Sequence, residues 1–243
     1  MFDLFRHKLP EDIYQDACDV HCHLLPGVDD GFATAEKSLQ ALQKLEQCGV
    51  RKMVLTPHFM KDYPENDRES ITKHFETFKA EAAEACKIEL RLGGEYMLDA
   101  CFMDRYNQGL LTLDKAGEHV LCETSYLMYE HGITEMLYEV MCAGFWPVIA
   151  HPERYEYATR EHYYRWKRKR YKFQLNLLSL AGAYGMPAKA KSHYLLKQGM
   201  YDYVGSDMHN LSNFKHYLHE IRLTKKEMEQ LFLLKENNKK LFD

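Results

Sequence analysis

Seven short stretches of β character recur along the chain, and helical pattern fills most of the gaps between them. They are 18–24 (CDVHCHL), 50–56 (VRKMVLT), 88–94 (IELRLGG), 119–123 (HVLCE), 145–150 (FWPVIA), 172–177 (KFQLNL) and 201–206 (YDYVGS). Strands that alternate with helices pair in parallel, because each crossover returns the chain to the same end of the sheet. A single sheet of this size closes into a barrel, and 243 residues suit one such barrel. The expected class is therefore α/β, with seven strands. Thr34 can cap a helix through AEKSLQALQKLEQ that stops at Gly49. A second helix is expected from about Asp67 through SITKHFETFKAEAAEAC and a third near 132–143, with 187–199 and 212–239 also helical. No low-complexity linker or composition shift divides the chain, so 1–243 reads as one domain: a lead 1–17, a core 18–215 and a helical tail 216–243.

Polar residues cluster at the C-terminal ends of these strands, where a βα barrel has its mouth. Alternate strand residues share a face, so Asp19, His21 and His23 are expected to point one way, and Cys18, Val20, Cys22 and Leu24 the other. TPHF brings His58 after the second strand, GGEY brings Glu95, and CETS brings Glu123. AHPERY brings His151 and Arg154, the sixth strand carries Asn176, and GSDMHN brings Asp207 and His209. Singly, each histidine reads as a satisfied core or surface residue, and each glutamate as a cap or surface charge. Seven strands ending this way together point to a shared metal site. A buried unpaired carboxylate costs several kcal/mol, so Glu123, beside apolar Cys122, calls for a cationic partner. Imidazole plus carboxylate, with no inward thiolate, suits Mn, Fe or Zn and disfavours a structural zinc–cysteine site. With Asp30, the ligands number nine, too many for one ion and enough for two or three sharing bridging carboxylates. Paired ions about 3.5–4 Å apart generate a bridging hydroxide and clamp a transferring phosphoryl group.

These residues carry a resemblance. HCH at 21–23, PGVDDG at 26–31, TPH at 56–58, Glu95, ETS at 123–125, HPERY at 151–155 and SDMHN at 206–210 resemble motifs of the PHP (polymerase and histidinol phosphatase) family. QLNLLSLAGAYG at 174–185 is similar to its manganese-dependent tyrosine phosphatases of bacterial capsule and exopolysaccharide loci. The resemblance runs from about residue 18 to 215 and implies a distorted seven-stranded (β/α) barrel with a trinuclear centre. By that resemblance His21, His23, Glu95 and Asp207 hold one ion, Glu95 bridges to a second completed by Glu123 and His151, and Asp30, His58 and His209 hold the third. Arg154 matches the phosphate-binding arginine. A second arginine often follows the last histidine by five positions; this chain has Phe214 there, and the adjacent Lys215 offers only a point charge. Two or three Mn²⁺ ions, with Fe or Zn as alternatives, and the phosphotyrosine-bearing tail of a bacterial tyrosine kinase are the implied cofactor and partner.

Other classes are set against this. A cysteine-based tyrosine phosphatase needs an arginine six positions after its nucleophile, and none of the seven cysteines has one. Attack by a metal-activated hydroxide remains, and a phenolate leaving group, with pKa about 10, asks for less protonation than an alkoxide. The odd, scattered cysteines without a CxxC pair read as reduced thiols. With no apolar run of membrane length and no leader-like start, the expected setting is the cytoplasm, without membrane insertion. A net charge of −4 argues against nucleic acid; the basic run RWKRKRYK at 165–172 reads either as a solvated helix face or as an attraction for an acidic tail. Tyr63, Tyr126, Tyr129, Tyr155 and Tyr157 are candidates for lining the mouth. Another phosphoesterase of the fold (acting on histidinol phosphate, a small molecule or DNA) and a non-enzymatic metal-binding partner are the competing readings. Self-association is compatible with either.

Overall fold

All seven strand stretches form β structure, and their order in space follows their order along the chain. The computed structural model describes residues 5–129 and 132–243. The elements are β1 (His7–Lys8), β2 (Ala17–Cys22), α1 (Ala35–Cys48), β3 (Val50–Leu55), β4 (His58–Phe59), α2 (Arg68–Ala85), β5 (Glu89–Leu92), β6 (Glu95–Met97), α3 (Phe102–Asn107), β7 (His119–Glu123), α4 (Ile133–Cys142), β8 (Trp146–Ala150), α5 (Arg160–Arg168), β9 (Lys172–Asn176), α6 (Gly185–Lys197), β10 (Tyr203–Gly205), α7 (Leu211–Leu218), β11 (Arg222–Leu223) and α8 (Lys225–Phe242). Helix starts follow their capping side chains: Thr34 accepts the Lys37 N–H, and Asp67 accepts the Ser70 N–H at 2.8 Å. Gly49 ends α1 with φ 106°, a conformation glycine adopts without a Cβ penalty.

The parallel ladder is divided. β2, β3 and β5 form one curled sheet, and β10, β9, β8, β7, β6 and β4, in that order, form a second. The stretch 88–94 is thus not one strand: β5 pairs with β3, and after Gly93–Gly94 the chain resumes as β6 between β4 and β7. The second strand also passes from one sheet to the other, as β3 and then β4. Backbone bonds hold this crossing together, from Gly93 N–H to Leu55 O at 2.8 Å and from Glu95 N–H to Pro57 O at 3.0 Å. A Cβ on Gly94 would lie 2.8 Å from Phe59 Cε2 and 2.9 Å from Tyr96 Cε2, so these two rings pack over the crossing only without a side chain there. At the opposite seam the first and last strands join: Asp207 N–H donates to His21 O at 2.8 Å and His23 N–H to Met208 O at 3.1 Å.

One apolar cluster gathers Val20, Val54, Leu121, Val148 and Tyr203 from the facing sides of five strands, with Leu241 and Phe242 of α8 packed against it. A larger one lies between the sheets and the helices. The expected alternation on β2 fails. The β2–β3 register shifts between Asp19 and Cys22, an irregularity of the bulge kind. Cys18 and Val20 join the small inner cluster, whereas Cys22 joins the outer core. Asp19 leaves the histidine face, its carboxylate accepting the His21 N–H at 3.2 Å and the Ser206 N–H at 3.0 Å.

The expected helix 212–239 is two helices, α7 and α8. Between them β11 pairs antiparallel with β1, burying Ile221 and Leu223. Thr224 and Glu227 then start α8 with a capping box. The segment before β2 thereby has a place: Ile13 is buried, and the Tyr14 ring meets Phe214 of α7 edge-on at 6.3 Å. α3 was not among the expected helices, and α5 takes in only residues 165–168 of the basic run that could read as a helix face. No helix among the described residues is long and apolar enough to cross a membrane.

Candidate metal centre

Eight of the nine residues expected as ligands lie on the parallel strands or within a few residues after them, with His58 and Glu95 opening β4 and β6, and Asp30 comes from the loop before α1. Three overlapping groups form: His21, His23, Glu95 and Asp207; His58, Glu95 and Glu123; and His23, Asp30, His58 and His209. Glu95 Oε2 lies 3.3 Å from both His21 Nε2 and His23 Nε2, and 3.1 Å from His58 Nδ1. His151 Nε2 is 3.0 Å from Glu95 Oε1 and 3.5 Å from Glu123 Oε1. Asp30, on a loop and exposed, stands 3.5 Å from His58 Nε2 and 3.3 Å from His209 Nε2. Lys215 is not brought in: it is exposed on α7 and makes no hydrogen bond or ion pair among the described residues, while Phe214 turns inward.

The donor set fits divalent cations. Glu95 Oε2 and Glu123 Oε2 are buried without a hydrogen bond, although imidazole nitrogens crowd them. The Nε2 atoms of His21 and His23 face each other at 3.2 Å. A buried carboxylate with no hydrogen bond is costly, and borderline-hard ions that take imidazole and carboxylate satisfy this set. Residues behind the ligands fix which nitrogen points inward. His21 Nδ1 lies 3.0 Å from Gln174 Oε1, and His23 Nδ1 lies 2.9 Å from Asp29 Oδ2, leaving both Nε2 atoms toward the cluster. Gln174 Oε1 also accepts the His151 N–H at 3.2 Å. His151 and Asp207 hold φ of 30° and 48°, a strained region for residues with a Cβ and one that collects at functional sites.

The charge balance follows from this crowding. Burial opposes protonation of His21, but Glu95 and Asp207 outweigh it and raise its pKa to about 9. For His23, burial is likewise overcome, chiefly by Asp29, and its pKa rises well above the ordinary value. Burial and then Glu95 push Glu123 up to about 7, and burial with Arg154 brings His151 down to about 4. Asp30 is drawn down to about 2 by its contact with His209.

Asp207 links this cluster to Arg154. Its Oδ1 is 3.4 Å and 3.3 Å from the inward nitrogens of His21 and His23, while its Oδ2 accepts Arg154 Nη1–H at 2.7 Å and Asn176 Nδ2–H at 2.7 Å. The guanidinium lies between two aromatic rings, 4.4 Å from the Tyr126 centroid and 4.1 Å from that of Tyr184. The Tyr126 hydroxyl in turn donates to Glu123. Of the other tyrosines, Tyr63 stacks on His58 at 6.0 Å, whereas Tyr155 is fully buried with its hydroxyl on Ala150 O. The basic run lies elsewhere: Lys167 and Lys172 both pair with Asp202, and its exposed residues, Arg165 and Arg168–Arg170, precede β9, at the opposite end of the strand from Asn176.

Sequence reasoning passed over Asp29, Gln174, Tyr126 as an arginine platform, and Tyr184. Gln174 was reachable, since it shares a strand face with Asn176. Tyr184, on the approach to α6, carried no local signal.

Comparison with known proteins identifies the family. A family model described as capsular polysaccharide synthesis, CpsB/CapC, matches residues 17–242. The tyrosine-protein phosphatase YwqE of Bacillus subtilis is 28% identical over 232 residues, covering 90% of this chain and 89% of that protein. The tyrosine-protein phosphatase CpsB of Streptococcus pneumoniae is 28% identical over 220 residues, 83% of this chain and 86% of that one. A solved structure from work on YwqE of B. subtilis and CpsB of S. pneumoniae, described as unique metal-dependent tyrosine phosphatases, shares the fold with a TM-score of 0.78 at 24% identity, covering 92% of this chain and 93% of that one.

Proposed function

The chain belongs to the CpsB/CapC family of capsular polysaccharide synthesis, and from that premise we propose that it is a metal-dependent phosphatase of phosphotyrosine in polypeptides. The observation that carries this reading is the double engagement of Asp207, with one oxygen toward the imidazoles and the other on Arg154. A phosphate held by the remaining N–H groups of Arg154 would sit directly against the metal donors.

We assign His21, His23, Glu95 and Asp207 to one ion, Glu95, Glu123 and His151 to a second, and Asp30, His58 and His209 to a third. Mn²⁺ is our preferred ion, with Fe or Zn compatible with the same donors. When bound, the ions supply the Lewis acidity and the activation of water that in-line displacement at phosphorus needs. Arg154 binds and orients the phosphoryl oxygens, and its anchoring by Asp207 and two rings removes the reorganisation a free side chain would cost. Gln174 and Asp29 keep His21 and His23 in the donor tautomer. Tyr63 and Tyr126 form aromatic walls suited to an aryl ester. We assign no role to a thiolate: none of the seven cysteines has an arginine six positions on, and burial pushes the thiols of Cys18, Cys22 and Cys122 upward.

We read the two sheets as one distorted seven-stranded (β/α) barrel, and the chain as a single unit. The substrate we favour is the phosphorylated tail of a bacterial tyrosine kinase that controls capsule or exopolysaccharide synthesis, the process the family is described by. Seven free thiols suit a reducing compartment, so we place the activity in the cytoplasm. The test measures phosphotyrosine and phosphoserine peptide hydrolysis after chelation and again with Mn²⁺ restored, on wild type and His151→Ala. Phosphotyrosine turnover should vanish with chelation, return with Mn²⁺ and stay low in the variant. Activity surviving both perturbations overturns the metal assignment, and equal rates on the two peptides overturn the aryl preference. Turnover of histidinol phosphate alone would select another phosphoesterase.

A further inference from the structure

Arg154 holds together two segments whose next residues are apolar and turned to solvent. Tyr126 is followed by Leu127 and Met128, with 69% and 63% of their surfaces exposed, and Tyr184 is closely followed by Met186, at 71%. Among the described residues only six large hydrophobic side chains are more than half exposed, and these three follow, in the chain, the two rings that flank one guanidinium. The segment bearing Leu127 and Met128 is anchored: Glu156 N–H donates to Tyr126 O at 2.7 Å, and the Tyr126 hydroxyl is engaged by Glu123. Solvating apolar side chains on a held segment gains the fold nothing, and such patches mark contact surfaces when they adjoin a site.

We propose that Leu127, Met128 and Met186 form an apolar rim that receives an apolar side chain flanking the phosphotyrosine of the substrate polypeptide. This rests on the phosphotyrosine reading above and deepens it. The occupant follows from continuity: Leu127 and Met128 follow one ring held against Arg154 and Met186 closely follows the other, so residues flanking a phosphotyrosine bound at Arg154 would pass beside them. The rim is apolar, so a leucine, methionine or aromatic neighbour buries surface there, while a serine or aspartate does not. Burial of one such side chain at a half-open surface amounts to about fivefold in kcat/KM.

The test uses paired phosphotyrosine peptides that differ only in leucine or serine at the flanking positions, with Mn²⁺-loaded protein. Wild type should prefer leucine by about fivefold through KM, and the triple variant Leu127→Ser, Met128→Ser, Met186→Ser should bring that ratio below about twofold. Leu233→Ser, a similarly exposed apolar residue of α8, should keep the wild-type ratio. A melting midpoint within about 2 °C of wild type certifies each variant's fold. A wild-type ratio near one, or a preference that survives in the triple variant, overturns the rim. Absence of turnover on both peptides overturns the phosphotyrosine reading and the rim with it.

Discussion

Asp29→Asn isolates the contribution of a residue that touches no proposed ion. Its Oδ2 accepts the His23 ring N–H at 2.9 Å and the His58 backbone N–H at 3.1 Å, and its Oδ1 accepts the Gly31 N–H at 3.0 Å. Burial opposes ionisation of this carboxyl, but His23 beside it prevails and holds its pKa below the usual range. Asparagine keeps the shape and can keep the Gly31 bond, yet it places an amide NH₂ against two N–H donors. The loss is two charge-assisted hydrogen bonds, from the His23 ring and the His58 backbone, about 1.5–3 kcal/mol each. His23 then has no reason to direct Nε2 toward the cluster, so the loss appears in ion binding, as about 10–100-fold weaker affinity. Competition between the apoprotein and a chelator of known Mn²⁺ affinity measures this directly, with circular dichroism confirming the fold. An affinity within about twofold of wild type would mean that His23 is oriented by something other than Asp29, and the reasoning would fail.

Three further outcomes follow from the geometry. Arg154→Lys keeps the charge but loses the fork and the stacking, and should lower kcat/KM on phosphotyrosine by about 100-fold with little change in ion affinity; steady-state kinetics and the same chelator titration check this. Gly94→Ala places a Cβ 2.8 Å from Phe59 and 2.9 Å from Tyr96; the overpacking should cost about 2 kcal/mol and lower the melting midpoint by about 4–8 °C in a thermal scan. Ion-free protein should lose stability as pH rises from about 6.5 to 9. His21, raised to about 9, contributes fully below its unfolded pKa of about 6.5 and loses that contribution on rising through 9. Melting curves in chelator at either end of this window test the sign, and saturating Mn²⁺, which takes neutral imidazole, should flatten or reverse it.

The candidate site was legible because the ends of parallel strands gather at one edge of the curled sheets, and those strands are short, apolar and punctuated. His58, Glu95, Glu123, His151 and Asp207 could each be placed from position alone. Faces were harder. The bulge between Asp19 and Cys22 adds no residue type that marks it, yet it moves Asp19 off the histidine face, which period-two alternation cannot foresee. Gly93–Gly94 stood in plain view, but a glycine pair does not say that a strand changes sheets there. The tail looked helical throughout because Arg222 and Leu223 fit a helix as well as a strand, and only their pairing with β1 decides between them. Lys215 was chosen by its place beside Phe214; the side chain that faces inward at that turn is the phenylalanine.

The seam between β2 and β10 sets a schedule. His21 lies on the first strand of the curl and His23 just after it, Asp207 lies just after the last, and the backbone bonds joining them cross almost the whole chain. A ribosome delivering 5–20 residues per second therefore exposes the histidine pair on the order of ten to forty seconds before the carboxylate that completes it. During that interval the helices and most strands can form, but the cluster cannot. Under the proposed metal assignment ion acquisition is then a late event, coupled to closing the seam, and a nascent chain stalled before β10 lacks Asp207 and cannot assemble the cluster.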